Sequence, residues 1–327
     1  MKLCVIFVKL CVTLPVHVRR VTQSFTKITQ SFTEVPKNFF FIILYFMKLY
    51  PIHTGNFKLD GGAMFGVVPK SIWNKSNPAD ENNLCTWAMR CLLIEDGNRL
   101  ILIDNGIGDK QDAKFLSHYY LHGDDTLDSS LSKHGYNRKD ITDVFLTHLH
   151  FDHCGGSIIR EGDKLVPAFP NAIYWSNEKH WQWATKPNDR EKASFLKENI
   201  LPIEESGQLK FIQPIGNKHS GIIDGFDIYY AYGHTDSMML PMIQYKEKTI
   251  VFMADLLPSI GHLPIPYVMA YDMFPLQTLE EKKTFLSEAV TNNYILFFEH
   301  DSVNECCTLK MTEKGIRHDA LFRLEDI

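Results

Sequence analysis

Thiol pairing is the first thing this sequence lacks: its seven cysteines are odd in number and show no C-x-x-C spacing, so they read as reduced thiols in a cytoplasmic protein. The adjacent Cys306 and Cys307 are no redox pair on this reading. An excess of basic charge is missing too. The formal net charge of -5 gives no electrostatic case for nucleic acid. Long apolar runs are also absent. The stretch 39–47 falls short of the about 20 residues that span a bilayer, and no stable membrane association is expected. Lys9 interrupts the apolar stretch 3–14, and no small-residue cleavage site follows, which argues against a signal peptide. No repeat of solenoid length occurs.

What remains suits one sizeable core, since 45% of the 327 residues are hydrophobic and 22% charged. The first 46 residues stand apart. They repeat Gln-Ser-Phe-Thr at positions 23 and 30 and precede Met47-Lys48-Leu49-Tyr50-Pro51, which reads as an ordinary start. The expected organisation is an N-terminal extension over 1–46, explained by a misassigned start, and one globular domain over 47–327.

The informative stretch is Thr147-His148-Leu149-His150-Phe151-Asp152-His153-Cys154-Gly155-Gly156, directly after the apolar run Val144-Phe145-Leu146. A lone histidine is usually a satisfied or solvated side chain, but three histidines and an aspartate within six positions are not. In extended or looping backbone, alternate side chains project together, so His148 and His150 can converge on one cation while Asp152 and His153 aim at a second. Four ligands cannot hold two metals. Three further candidates each follow a short apolar or aromatic run of strand character: His234 after Tyr229–Gly233, Asp255 after Thr249–Ala254, and His300 after Tyr294–Glu299. Strand ends are where layered α/β folds assemble their sites. Cys154 abuts the run and reads as a small buried residue rather than a nucleophile.

On these residues the chain, from about Met47 to His300, resembles the metallo-β-lactamase superfamily in its dinuclear hydrolase branch. The resemblance implies a four-layered αβ/βα sandwich of the α/β class. It also implies two divalent metal ions, zinc ahead of manganese, iron or cobalt. His148, His150 and His234 would hold one ion, Asp152, His153 and His300 the other, and Asp255 would bridge them. Asp104, ending Leu100-Ile101-Leu102-Ile103, would support the site by hydrogen bonding. The expected reaction is hydrolysis by a hydroxide shared between the metals, with Asp255 bridging and Asp152 shuttling a proton to the leaving group.

The stretch Asp60–Lys70 resembles the loop of lactonases and methyl parathion hydrolase-like enzymes, so Met64, Phe65 and Phe151 are expected as an apolar substrate wall with His262 beside it, while Trp73 fits either that wall or core packing. Homoserine lactonases usually carry a tyrosine three residues after the bridging aspartate, where this chain has Pro258. A broader esterase, lactonase or phosphotriesterase therefore fits better. Glyoxalase II-like thioester hydrolysis and a silent metal-binding protein are the rivals. A flavodiiron protein would need glutamate in place of His150. The expected partner is a small-molecule substrate, with a homodimer left open.

Strands are expected over Met89–Ile94 and Leu100–Ile103, joined across Asp96-Gly97. Helices are expected near Thr126–Lys133, Asn177–Thr185 and Asp189–Glu198. Thr278 with Glu281 reads as a capping box opening another helix to about Val290.

Overall fold

The computed structural model describes residues 47–212, 218–220 and 225–327. The expected extension over 1–46 lies outside the described residues. The first sheet starts with β1 (Lys48–Asp60), β2 (Leu84–Asp96) and β3 (Arg99–Ile103), and continues with β4 (Asp143–Phe145). After the small hairpin β5 (Ile158–Glu161) and β6 (Lys164–Pro167), β7 (Ile173–Ser176) and β8 (Leu209–Phe211) complete it. Its order is β1-β2-β3-β4-β7-β8, antiparallel from β1 to β3 and parallel from β3 onward. The β2–β3 turn has Gly97 at φ 60°, a left-handed conformation that glycine adopts without cost.

The second sheet comprises β9 (Lys218–Ser220), β10 (Phe226–Ala231), β11 (Met238–Tyr245), β12 (Lys248–Phe252), β13 (Ile295–Phe297), β14 (Cys306–Thr312) and β15 (Gly315–Phe322). They lie in the order β15-β14-β13-β12-β11-β10-β9. The helices, in chain order, are α1 (Gly61–Phe65), α2 (Lys70–Trp73), α3 (Ala113–Ser117), α4 (Leu127–Lys133), α5 (Phe151–Cys154), α6 (Glu178–Thr185), α7 (Lys197–Glu205) and α8 (Pro275–Thr291).

Period-two alternation builds the layers. On β2, Leu92 and Ile94 face the second sheet, whereas Cys91 and Leu93 pack with Leu131 of α4, Trp181 of α6 and Ile203 of α7. On β10, Phe226 meets Phe145 across the sheets at 5.2 Å, while Tyr229 meets Phe285 of α8 at 5.3 Å. The result is helix, sheet, sheet, helix: the four-layered αβ/βα sandwich.

Direction then places the functional groups. β12 and β13 are parallel, and β10 reaches the same direction through two antiparallel steps. The segments leading to His234, Asp255 and His300 therefore leave the second sheet at one end. Backbone bonds sew the two sheets together there, with Ala88 N donating to His300 O at 3.1 Å and Arg90 N to Glu299 O at 3.0 Å.

Two expected helices change. Residues 189–194 form turns, and the helix starts only at Lys197. The Asn188 side chain accepts from Arg190 N at 2.9 Å and Glu191 N at 3.1 Å, a local turn that competes with helix. α8 starts at Pro275, favoured at a first helical turn. Thr278 lies inside it rather than at a cap, and the Glu281 carboxylate accepts from Tyr232 N at 2.9 Å and Gly233 N at 3.0 Å.

Candidate metal centre

His148 and His150 leave the end of β4 on a loop, and α5 begins immediately after, placing Asp152 and His153 in its single turn. Gly155 and Gly156 follow because backbone crowds them: a Cβ would lie 2.1 Å from Ile107 O and 2.2 Å from Asn105 O respectively. The loop is braced by Asp104, which stands at φ 53° and accepts from Thr147 N at 2.8 Å and Thr147 Oγ1 at 2.6 Å. Strained backbone of this kind concentrates at functional sites, and Ala254, beside Asp255, stands at φ 40°.

His148, His150, His234 and Asp255 form one buried group of donors, and Asp152, His153 and His300 another. Within the first, His148 Nε2 is 3.0 Å from His150 Nδ1, which is 3.2 Å from His234 Nε2. Within the second, the Nε2 atoms of His153 and His300 are 3.1 Å apart. Tetrahedral zinc with nitrogens at about 2.0–2.1 Å separates them by roughly 3.3 Å, so these spacings fit rings aimed at a shared cation. Asp255 spans both groups, with Oδ2 at 3.1 Å from His234 Nε2 and Oδ1 at 3.1 Å from His300 Nε2. Its Oδ1 is buried yet lacks hydrogen-bond geometry to any partner among the described residues, as expected of a metal ligand.

The opposite nitrogen of each ring is held, which fixes the nitrogen left for metal. His234 Nδ1 meets Asp272 Oδ1 at 2.8 Å, and His150 Nε2 meets Glu191 Oε1 at 3.0 Å. His300 Nδ1 donates to Ala88 O at 2.8 Å. His153 Nδ1 lies between Asp104 Oδ2 at 3.1 Å and Glu299 Oε2 at 3.0 Å. His148 Nδ1 is 3.1 Å from Thr147 Oγ1. Burial holds His148 and His150 below the ordinary value, whereas against the same burial Asp255 and Asp272 raise His234 to about 10. All seven residues thus suit two divalent ions.

A cavity of about 360 Å³ opens over the donors. Its apolar wall comprises Leu59, Met64, Phe151, Met269 and Met273, and Tyr119, Arg190 and Tyr271 add polar groups. A second cavity, of about 470 Å³, lies elsewhere and gathers no such donors: its His53 pairs with Glu305 at 3.7 Å, and its His134 packs on Tyr50 at 4.6 Å.

Residues 90–300, two-thirds of the chain and the span holding every one of these donors, match the profile of the metallo-beta-lactamase superfamily. The chain belongs to the metallo-β-lactamase superfamily. Within the superfamily it is similar to an N-acyl homoserine lactonase of Bacillus cereus, 22% identical over 271 residues that cover 79% of this chain and 94% of that protein. Among solved structures it is similar to a probable metal-dependent hydrolase from Staphylococcus aureus, with a TM-score of 0.77, 29% identity and coverage of 85% of this chain and 97% of that one. The fold is shared with AidC, a dizinc quorum-quenching lactonase, at a TM-score of 0.69, 20% identity and coverage of 85% and 96%.

Not every residue expected at this superfamily member's substrate wall reaches it. Met64 and Phe151 line the cavity, but Phe65 is buried and stacked at 5.3 Å on Trp73, which takes the core-packing place weighed for it. His262 is also buried; it stacks on Phe65 at 4.5 Å and donates from Nε2 to Met64 O at 2.9 Å. These three build the floor that carries Met64. Pro258 is buried, and the phenols at the cavity come from Tyr119 and Tyr271 instead. Sequence reasoning missed Glu191, which lay in a stretch read as helix. It also missed His180, whose Nε2 accepts from Leu149 N at 2.9 Å and steadies the loop between two donors. Asn177, a good helix cap just upstream of His180, was the available signal.

Proposed function

We propose that this superfamily member hydrolyses carboxylic esters and lactones, using two zinc ions per chain. His148, His150 and His234 would hold one ion and Asp152, His153 and His300 the other, with Asp255 placed between the two groups. When bound, the ions supply Lewis acidity and a water acidic enough to attack near neutral pH. The chain's own residues do the rest. Glu191 and Asp272 hold His150 and His234 in the tautomers that present Nδ1 and Nε2 to the site. Asp152, at the cavity face, takes up the proton released by the attacking water and passes it to the leaving oxygen. Asp104 braces both the loop and His153. The apolar wall takes the acyl or aryl part of the substrate and keeps water away from it. Buried, unpaired cysteines at 85, 91, 154, 306 and 307 support placement in the cytoplasm.

The observation that carries this reading is the convergence of seven donors beneath an open, largely apolar cavity. The test is metal analysis combined with a panel of a lactone, an aryl ester, a phosphotriester and a glutathione thioester. About two metals per chain and fastest turnover of lactone or aryl ester are expected, with His150→Ala losing at least about a hundredfold in kcat/KM. Metal-free protein, unchanged turnover in His150→Ala, or preference for the thioester would each overturn it.

A further inference from the structure

Arg190 is a polar group of the cavity that the hydrolytic chemistry does not use. The turn organised by Asn188 sets Arg190 and Glu191 back to back: Glu191 turns inward to His150, and Arg190 faces the cavity. One arm of its guanidinium donates from Nη2 to the carbonyl of Ala270, on the segment that also carries Met269 and Tyr271. That tether orients the group and uses one of five donors. Among the described residues no carboxylate pairs with it, unlike Arg138, which grips Asp128. The nearby cavity carboxylates are committed: Asp152 and Asp255 to the metal donors, and Glu191 to His150 and Trp183.

The remaining cavity polarity has the same sense. The hydroxyls of Tyr119 and Tyr271 have no protein partner among the described residues. Burial pushes both phenols up to about 12, so they stay protonated donors. Away from the metals the cavity therefore combines a flexible apolar wall containing three methionines with a cation and two phenols that seek acceptors. A purely hydrocarbon acyl chain would leave these donors unmatched.

We propose that Arg190 determines specificity by receiving a carboxylate on the substrate, remote from the bond that is cleaved. The inference rests on the hydrolase reading above and narrows its substrate class to esters or lactones with an anionic tail. A planar guanidinium pairs with carboxylate through two parallel bonds, which lysine cannot reproduce.

The experiment compares two aryl esters of equal chain length on the metal-loaded enzyme: p-nitrophenyl hexanoate and the mono-p-nitrophenyl ester of adipic acid. Wild type should favour the adipate ester in kcat/KM by roughly ten- to a hundredfold, mainly through KM. Raising salt from about 0.05 to about 0.5 M should shrink that ratio, because screening weakens an exposed ion pair. Arg190→Met should reduce the ratio at least about tenfold and Arg190→Lys by less. A wild-type preference for hexanoate, or an equal slowing of both esters by Arg190→Met, overturns the proposal; the second result reduces Arg190 to a tether for Ala270. Failure of the loaded enzyme to cleave either ester removes the hydrolase reading itself, and this inference with it.

Discussion

His262 is stacked on the ring of Phe65 and tilted against that of Trp87 as a neutral imidazole, its Nδ1 accepting from Ser259 Oγ at 2.9 Å and its Nε2 donating to Met64 O at 2.9 Å. Burial lowers its pKa to about 3. In the unfolded chain the ring titrates near 6.5, so below that pH the unfolded state takes up a proton that the folded state refuses. The stabilisation is complete above about 6.5 and is lost as the pH falls toward about 3. A His262→Gln chain, with no proton to gain, should be less stable than wild type near neutrality. The gap should narrow by about 2 kcal/mol at about pH 5. Urea unfolding of both proteins at the two pH values measures it, and a gap independent of pH contradicts the buried neutral state. Residues of this kind are hard to recognise in sequence: His262 and His148 are both histidines in the segments between strands, and only the partners of each ring nitrogen separate a packing role from a ligand role.

α8 grips the backbone just before His234 and the loop 264–267. Glu281 accepts from Tyr232 N and Gly233 N, while Lys282 Nζ donates to Tyr267 O at 2.6 Å, Pro264 O at 3.2 Å and Ile265 O at 3.4 Å. Those carbonyls belong to the loop that goes on to Asp272, which orients the His234 ring. Lys282→Met should therefore weaken the His148–His150–His234 metal site by roughly ten- to a hundredfold and leave the His153–His300 site nearly intact. Graded chelation followed by metal counting should reveal a one-metal form of the variant, with Lys282→Arg intermediate. Parallel loss of both metals would assign Lys282 a role in general stability only. The sequence displayed the H-x-H-x-D-H run because its donors lie within one turn and one loop. It hid the Glu281 clamp because Thr278–Glu281 has the spacing of a capping box, and only the fold brings Tyr232 and Gly233 to that carboxylate. The stretch 189–198 misled in the same way, its helical periodicity overridden by the Asn188 turn.

Across the whole molecule, the two sheets meet at an end crowded with buried carboxylates, including Asp104, Asp255 and Glu299. Divalent ions that bind only the folded chain stabilise it by mass action, by about 2.7 kcal/mol for a site at a hundred times its dissociation constant. Chelation should lower Tm by about 5 °C per ion removed, and zinc should restore it; calorimetry that shows no shift would separate the metals from the stability of the sandwich. The layers themselves were legible in the sequence, since the unbroken apolar runs Cys91–Ile94 on β2 and Ile228–Ala231 on β10 call for cover on both faces of each sheet. The strand order was not, because it depends on pairings between distant segments such as β12 with β13. One such pairing governs the order of events in biosynthesis. Ala88 and Arg90 bond to the backbone of His300 and Glu299, more than two hundred residues later in the chain. A nascent chain that has emerged only through His153 displays four donors but cannot close the pair of sites. The centre is complete only once the chain has emerged through His300, so a product truncated before that residue lacks a donor of the His153 group.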